Sequence, residues 1–105
     1  MEQPNLSYIK QLAGDDAEFE HKFIAILKEE FPQEKKEYTK QLSAKNTDET
    51  ALIVHKLKHK LNILGLEKAY KLAVSYEEDL RRGDAKLKNE FALVLETIEL
   101  YLNTI

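Results

Sequence analysis

Glycine and proline occupy only five of the 105 positions, and they separate stretches in which apolar residues recur at the three- and four-residue spacing of a helix. No stretch shows the strict alternation of apolar and polar residues that favours a strand. Residues that stop helices follow the apolar stretches at Gly14, Pro32, Gly65 and Gly83. The sequence therefore predicts an all-α protein.

Capping residues mark the helix boundaries. Side chains able to cap a helix N-terminus are found at Asn5, Asp15 or Asp16, Asn46 or Thr47, and Asp84. The helical segments predicted between the caps and the stop signals are residues 6–13, 16–31, 33–45, 47–64, 66–82 and 85–102. Pro32 is expected to break or kink the chain between the second and third segments. Because the connections are short, we expect an up-and-down antiparallel four-helix bundle with a short additional N-terminal helix.

Composition limits the class of protein. A chain of 105 residues, 43% of them hydrophobic, can build one core, so residues 1–105 are expected to form a single domain, as a monomer. A net charge of -3 argues against a nucleic-acid partner. The absence of cysteine excludes disulfides and thiolate metal sites. We find neither an apolar run long enough to span a membrane nor a signal peptide, and expect a soluble, cytoplasmic protein.

Residues 54–65, VHKLKHKLNILG, place two histidines on little more than two helical turns. At about 100° per residue, one arc of this helix carries the apolar residues Ile53, Val54, Leu57, Leu61 and Leu64. His55 lies about 150° from the centre of that arc. The residues predicted to share its exposed face are Ala51, Lys58, His59 and Asn62. His55 is therefore expected to be largely exposed.

Two apolar residues, Leu52 and Ile63, flank this polar face. Beside an exposed histidine they suggest a docking surface for a partner, to which Lys56 and Asn62 would also contribute. The alternative is that neighbouring helices cover both apolar residues. Lys56 and Lys60 are expected to be solvated, and could steer an acidic partner during encounter.

The next helix carries a carboxylate within its apolar arc. That arc consists of Leu66, Ala69, Tyr70, Ala73, Tyr76 and Leu80, and Glu77 falls inside it. If the two helices pack antiparallel around Gly65, Glu77 and His55 both lie roughly three turns from the loop and could meet. A hydrogen bond from His55 Nδ1–H to Glu77 would leave Nε2 as the nucleophilic lone pair. Alternatively, Glu77 pairs with Arg81 or with a lysine.

These residues resemble the histidine-containing phosphotransfer (HPt) domain family of two-component phosphorelays. The family pattern is matched by His55, Leu57, Lys58, Leu64 and Gly65. The resemblance extends over the whole chain, because the short first helix, GDDAEF at the start of the second, Pro32 and the RRGD turn fall where the family places them.

The resemblance implies a phosphoryl carrier without kinase activity or a cofactor of its own. Nε2 of His55 would accept a phosphoryl group from the phospho-aspartate of a receiver domain, which supplies Mg²⁺, and would pass it to a second receiver domain. Lys58 would contact the phosphoryl oxygens, and Glu77 matches the family position that orients the histidine. The implied partners are response-regulator receiver domains, with a hybrid sensor histidine kinase as a further candidate.

His59 departs from the family pattern, which most often has glycine after the lysine. Its imidazole could swing aside and present its proton or charge to the phosphoryl group, or it could mark a domain that docks without transfer. We favour the first, because Lys58 and an inward Glu77 would be unnecessary in a docking module.

Two other functions fit the same residues. His55 and His59 have the i, i+4 spacing of zinc ligands, with Glu77 as the third, although the neighbouring lysines oppose a cation. A non-catalytic interaction bundle would use the Leu52 and Ile63 edge alone. The third histidine, His21, has no partner pattern and is expected at the surface.

Overall fold

Five α-helices account for the secondary structure of the computed structural model, which describes residues 2–105. They are α1 (Ser7–Ala13), α2 (Ala17–Ser43), α3 (Thr47–Ile63), α4 (Glu67–Arg81) and α5 (Lys88–Leu102). The described residues include no strand, which confirms the all-helical prediction. Among the same residues, no helix combines the length and the apolar character needed to cross a membrane.

Helix α2 is longer than predicted because it continues through Pro32. The predicted break at this proline is wrong. Proline in a helix interior removes the hydrogen bond to the carbonyl of residue i−4, which here belongs to Lys28. Phe31 and Tyr38, before and after the proline, are buried with 1% and 3% of their surface exposed. Tertiary packing of these aromatic side chains therefore holds the two halves in one helix.

The structure decides between the alternative N-caps. The side chain of Asp16 accepts a hydrogen bond from the Phe19 backbone N–H at 3.0 Å, so Asp16 rather than Asp15 caps α2. The side chain of Asn46 accepts from the Glu49 N–H and caps α3. Both bonds satisfy a backbone donor that has no partner within the helix.

Two other predicted caps lie before the N-cap positions of their helices, Asn5 by one residue and Asp84 by three. Asn5 Oδ1 accepts from the Ser7 N–H at 3.1 Å, at the start of α1. Asp84 accepts from the Lys86 N–H inside the connecting turn, and α5 begins at Lys88, later than predicted. The turn chemistry of Asp84 competes with its capping role.

The core is shared by α2, α3, α4 and α5. The helix pairs in contact are α2 with α3, α3 with α4, α4 with α5, and α2 with α5, while α1 packs on α2. Tyr38, Tyr76 and Phe91 meet inside, and the two tyrosine hydroxyls lie 2.6 Å apart. Burial raises the pKa of both tyrosines, so each hydroxyl keeps its proton and the pair shares a hydrogen bond.

Two predictions about α3 are wrong. Ala51 and Lys60 were assigned to the exposed side, but both are buried. Lys60 Nζ donates to Glu30 Oε1 at 3.1 Å and to Glu34 Oε2 at 3.0 Å, both on α2. Because α3 packs against α2 as well as α4, its buried arc is wider than the apolar arc of its sequence.

The turn at Gly65 sets the relative position of α3 and α4. Gly65 has φ +74°, which glycine adopts without strain, and a Cβ there would lie 2.6 Å from Asn5 Nδ2. The Asn5 backbone N–H also donates to the Leu64 carbonyl at 2.9 Å. The N-terminal segment therefore closes over the turn that directs α4 back along α3.

Replacing Pro32 with alanine is expected to stabilise the protein. Alanine restores the missing N–H and removes the clash with the preceding turn, and this gain exceeds the smaller loss from a less constrained unfolded chain. The expected increase in the free energy of unfolding is about 1–2 kcal/mol, measured by urea denaturation. Gln33→Ala, at the adjacent exposed position, is the control and should change stability by less than about 0.5 kcal/mol. A destabilised Pro32→Ala would show that α2 needs the proline.

Candidate functional site

His55 and Glu77 meet across α3 and α4. His55 Nδ1 lies 3.1 Å from Glu77 Oε1 and 3.3 Å from Oε2. The His55 side chain is 49% exposed, whereas that of Glu77 is 11% exposed. A carboxylate only accepts hydrogen bonds, so Nδ1 carries the proton and Nε2 holds the lone pair when the ring is neutral.

The packing of α4 explains why the carboxylate faces inward. Tyr76 and Leu80, which flank Glu77 on the same side of the helix, are fully buried against the core. Glu77 therefore has to point toward α3, where the turn at Gly65 has placed His55. A buried carboxylate without partners would destabilise the fold, so the neighbouring donors are required.

Glu77 also binds two cations. Lys58 Nζ donates to Oε1 at 3.1 Å, and Arg81 Nη2 donates to Oε2 at 2.9 Å. Glu77 therefore pairs with His55 and with Arg81 at the same time, so both predicted alternatives are present in the structure. The Lys58 side chain is only 13% exposed, and its ammonium lies 5.9 Å from the centre of the Tyr70 ring.

The balance of these contacts keeps Glu77 ionised. Burial by itself raises the pKa of Glu77, but hydrogen bonds from Arg81, Lys58 and His55, together with the charge of Lys58, outweigh burial and lower that pKa below its ordinary value. Glu77 is therefore a carboxylate at neutral pH. An ionised Glu77 fixes the tautomer and the direction of the His55 ring.

His59 lies next to the His55 ring. The two rings meet edge to face, with centroids 5.2 Å apart and planes at 89°. Both histidines are exposed, as are Lys56 and Asn62 on the same helix. Of the residues predicted to share this face with His55, His59 and Asn62 are therefore exposed, whereas Ala51 is buried and Lys58 turns toward Glu77.

The two apolar residues beside this face differ in exposure. Leu52 is 48% exposed, whereas Ile63 is partly buried and packs against the core. The alternative prediction, that neighbouring helices cover these residues, therefore holds for much of the Ile63 side chain. Leu52 is the apolar residue that stays accessible near His55.

A zinc site at His55 and His59 would need a third ligand, and the described residues do not provide one. Within residues 2–105, no group of three or more histidine and carboxylate side chains is arranged to hold a metal ion. Glu77, the expected third ligand, is occupied by Lys58 and Arg81. His21 is exposed on α2, where it was expected.

Sequence reasoning missed the second buried cation of α3. Lys60 was expected to lie on a solvated face with the other lysines of this stretch. Its partners, Glu30 and Glu34, are spaced i, i+4 on α2, so they share a helix face that can bind one cation from another helix. This paired spacing was the available signal.

The chain matches no protein-family model, no curated protein and no solved structure. What the site does is therefore inferred from its own residues.

Replacing Glu77 with glutamine should destabilise the protein in a pH-dependent way. The pKa of Glu77 is lower in the folded state than its ordinary value of 4.5, so its stabilising effect is present above that pH and is lost as the pH falls below it. Urea denaturation should show Glu77→Gln less stable by about 1–3 kcal/mol at pH 7, with a difference that shrinks below pH 4.5.

Glu78→Gln, at the adjacent exposed position, is the matched control and should be close to neutral throughout. A Glu77→Gln difference that stayed constant down to pH 3 would contradict the proposed role of the ionised carboxylate.

Proposed function

We propose that this protein is a phosphorelay intermediate that accepts a phosphoryl group on His55 from the phospho-aspartate of a receiver domain and passes it to another receiver domain. The observation that carries the proposal is a half-exposed imidazole whose Nδ1 faces a buried, ionised carboxylate. This arrangement would leave the lone pair on Nε2 of a side chain that is half exposed.

The transfer needs one bond made and one bond broken. Nε2 of His55 attacks phosphorus, the N–P bond forms, and the P–O bond to the aspartate breaks, with its electron pair leaving on the receiver carboxylate. The proton on Nδ1 stays in place, so His55 becomes a phosphorylated imidazolium. Glu77 stabilises the positive charge that develops on the ring, because it accepts the Nδ1–H bond throughout. The reverse step delivers the phosphoryl group to the second receiver.

Lys58 and Arg81 support Glu77 in this role. Without these cations, burial would favour a protonated Glu77, which would lose its preference for the Nδ1–H tautomer. Lys58 lies one turn from His55 on α3, close enough for its ammonium to move from Glu77 toward the phosphoryl oxygens once they are bound. Lys58 thus has both a positioning role and a charge-stabilising role.

The receiver domain would dock on the exposed face around His55. Leu52 offers the accessible apolar contact, with Lys56, Asn62 and the exposed part of Ile63 around it. The receiver brings Mg²⁺ and the remaining positive charge, so the chain needs neither a metal nor kinase activity of its own.

The proposal includes the arrangement of the helices. The ring of contacts among α2, α3, α4 and α5, joined by short connections, supports an up-and-down antiparallel four-helix bundle that presents His55 from one side. We propose that the protein is a monomer. We also propose that it is cytoplasmic, since receiver domains operate in that compartment.

Phosphoryl transfer from a receiver domain is the direct test. The protein is incubated with a panel of receiver domains carrying radiolabelled phospho-aspartate, and the expected result is label that is stable to base, labile to acid and located on His55 by mass spectrometry. His55→Ala should abolish the label because the nucleophile is missing.

His21→Ala is the matched control, since it removes an exposed histidine from α2 and should retain transfer. Label that persists in His55→Ala would overturn the proposal. Binding of receivers without any transfer would instead support the interaction bundle, with Leu52 as its contact.

A further inference from the structure

The two cationic side chains near His55 are already paired with a carboxylate. Lys58 and Arg81 both bind Glu77, on the Nδ1 side of the ring. The ring of His59 contacts that of His55 at a centroid distance of 5.2 Å, and both side chains are exposed. His59 is therefore the exposed titratable side chain in ring contact with His55.

We propose that His59 is a proton-dependent partner of the phosphoryl group on His55, so that the phosphorylated state of this carrier is stabilised as the pH falls through the neutral range. The inference rests on the proposed function, since it concerns the same site. The imidazolium form of His59 donates a charge-assisted hydrogen bond to a phosphoryl oxygen, and the neutral form donates at most an ordinary one.

The carboxylates that bind α3 from the neighbouring helices are already paired with cations. From α4, Glu77 is neutralised by its bonds to Lys58 and Arg81. On α2, Glu30 and Glu34 bind Lys60. On α3 itself, Lys56 adds a positive charge to that face. The phosphoryl group would thus be the strongest unpaired negative charge near His59.

The pH dependence follows from proton linkage. A phosphoryl group carrying about two negative charges near pH 7 favours the imidazolium form of His59, so the phosphorylated protein binds more protons than the unmodified one. Lowering the pH then shifts the equilibrium toward phosphorylated His55. Histidine is the side chain that ordinarily changes charge between pH 5 and 8. No bond to His59 forms or breaks.

The edge-to-face contact defines how the two rings are arranged before phosphorylation. Neutral imidazole rings pack favourably in this way, whereas two imidazolium rings would repel each other. Phosphorylation of His55 adds negative charge beside His59, which attracts the imidazolium form of that ring. A glycine or a glutamine at position 59 could not make this exchange.

The test uses potassium phosphoramidate, a small donor whose P–N bond breaks with release of ammonia as phosphorus binds Nε2. Ring resonances of all three histidines are followed by NMR between pH 6 and pH 8.5, in the unmodified and the phosphorylated protein. The midpoint of the His59 titration is expected to rise by about one pH unit on phosphorylation, a tenfold gain in proton affinity. His21, in the same spectra, is the internal control and should not move.

A variant separates charge from hydrogen bonding. His59→Gln keeps a donor but does not titrate, so the ratio of wild-type to variant phosphorylation constants should rise about tenfold from pH 8.5 to pH 5.5. Phosphorylated His55 with an unchanged His59 midpoint would overturn this inference and leave the proposed function intact. Failure of His55 to accept a phosphoryl group from phosphoramidate and from every receiver would overturn both.

Discussion

A nearly buried carboxylate organises the site. Glu77 lies on the inner side of α4, where an isolated negative charge would be strongly disfavoured, and it is stabilised by three donors on two helices. Its contacts join α3 to α4 at the level of His55, so the same interaction contributes to the fold and directs the imidazole. Removing the carboxylate would leave Lys58 without a partner at a poorly exposed position and release the ring.

The rest of the structure brings these groups together. The left-handed backbone at Gly65 and the contact with Asn5 fix the turn, which places His55 and Glu77 at matching heights. On the other side of α3, Lys60 binds two carboxylates of α2. Two ionic clusters thus hold α3 between its neighbours, and His55 is left facing outward. The proposed phosphoryl transfer at His55 would depend on this support.

The site was more predictable from the sequence than some of the fold. Helical periodicity alone placed Glu77 among apolar residues and His55 opposite the core, because both depend on spacing within one helix. The break at Pro32 was predicted wrongly, because burial of Phe31 and Tyr38 outweighs the local cost of the proline. Lys60 was predicted as solvated because its partners lie on α2, and no local pattern in α3 indicates them. Errors arose where contacts between helices outweigh local preferences.

The central claim is that Glu77 holds the neutral His55 ring in the tautomer with Nε2 unprotonated. Nitrogen-15 NMR of the imidazole, recorded above the pH at which His55 loses its charge, distinguishes the two tautomers by the shifts of the ring nitrogens. We expect a protonated Nδ1 and an unprotonated Nε2, with a loss of this preference in Glu77→Gln. A ring that carries its proton mainly on Nε2 in the unaltered protein would contradict the account, because the proposed nucleophile would have no lone pair.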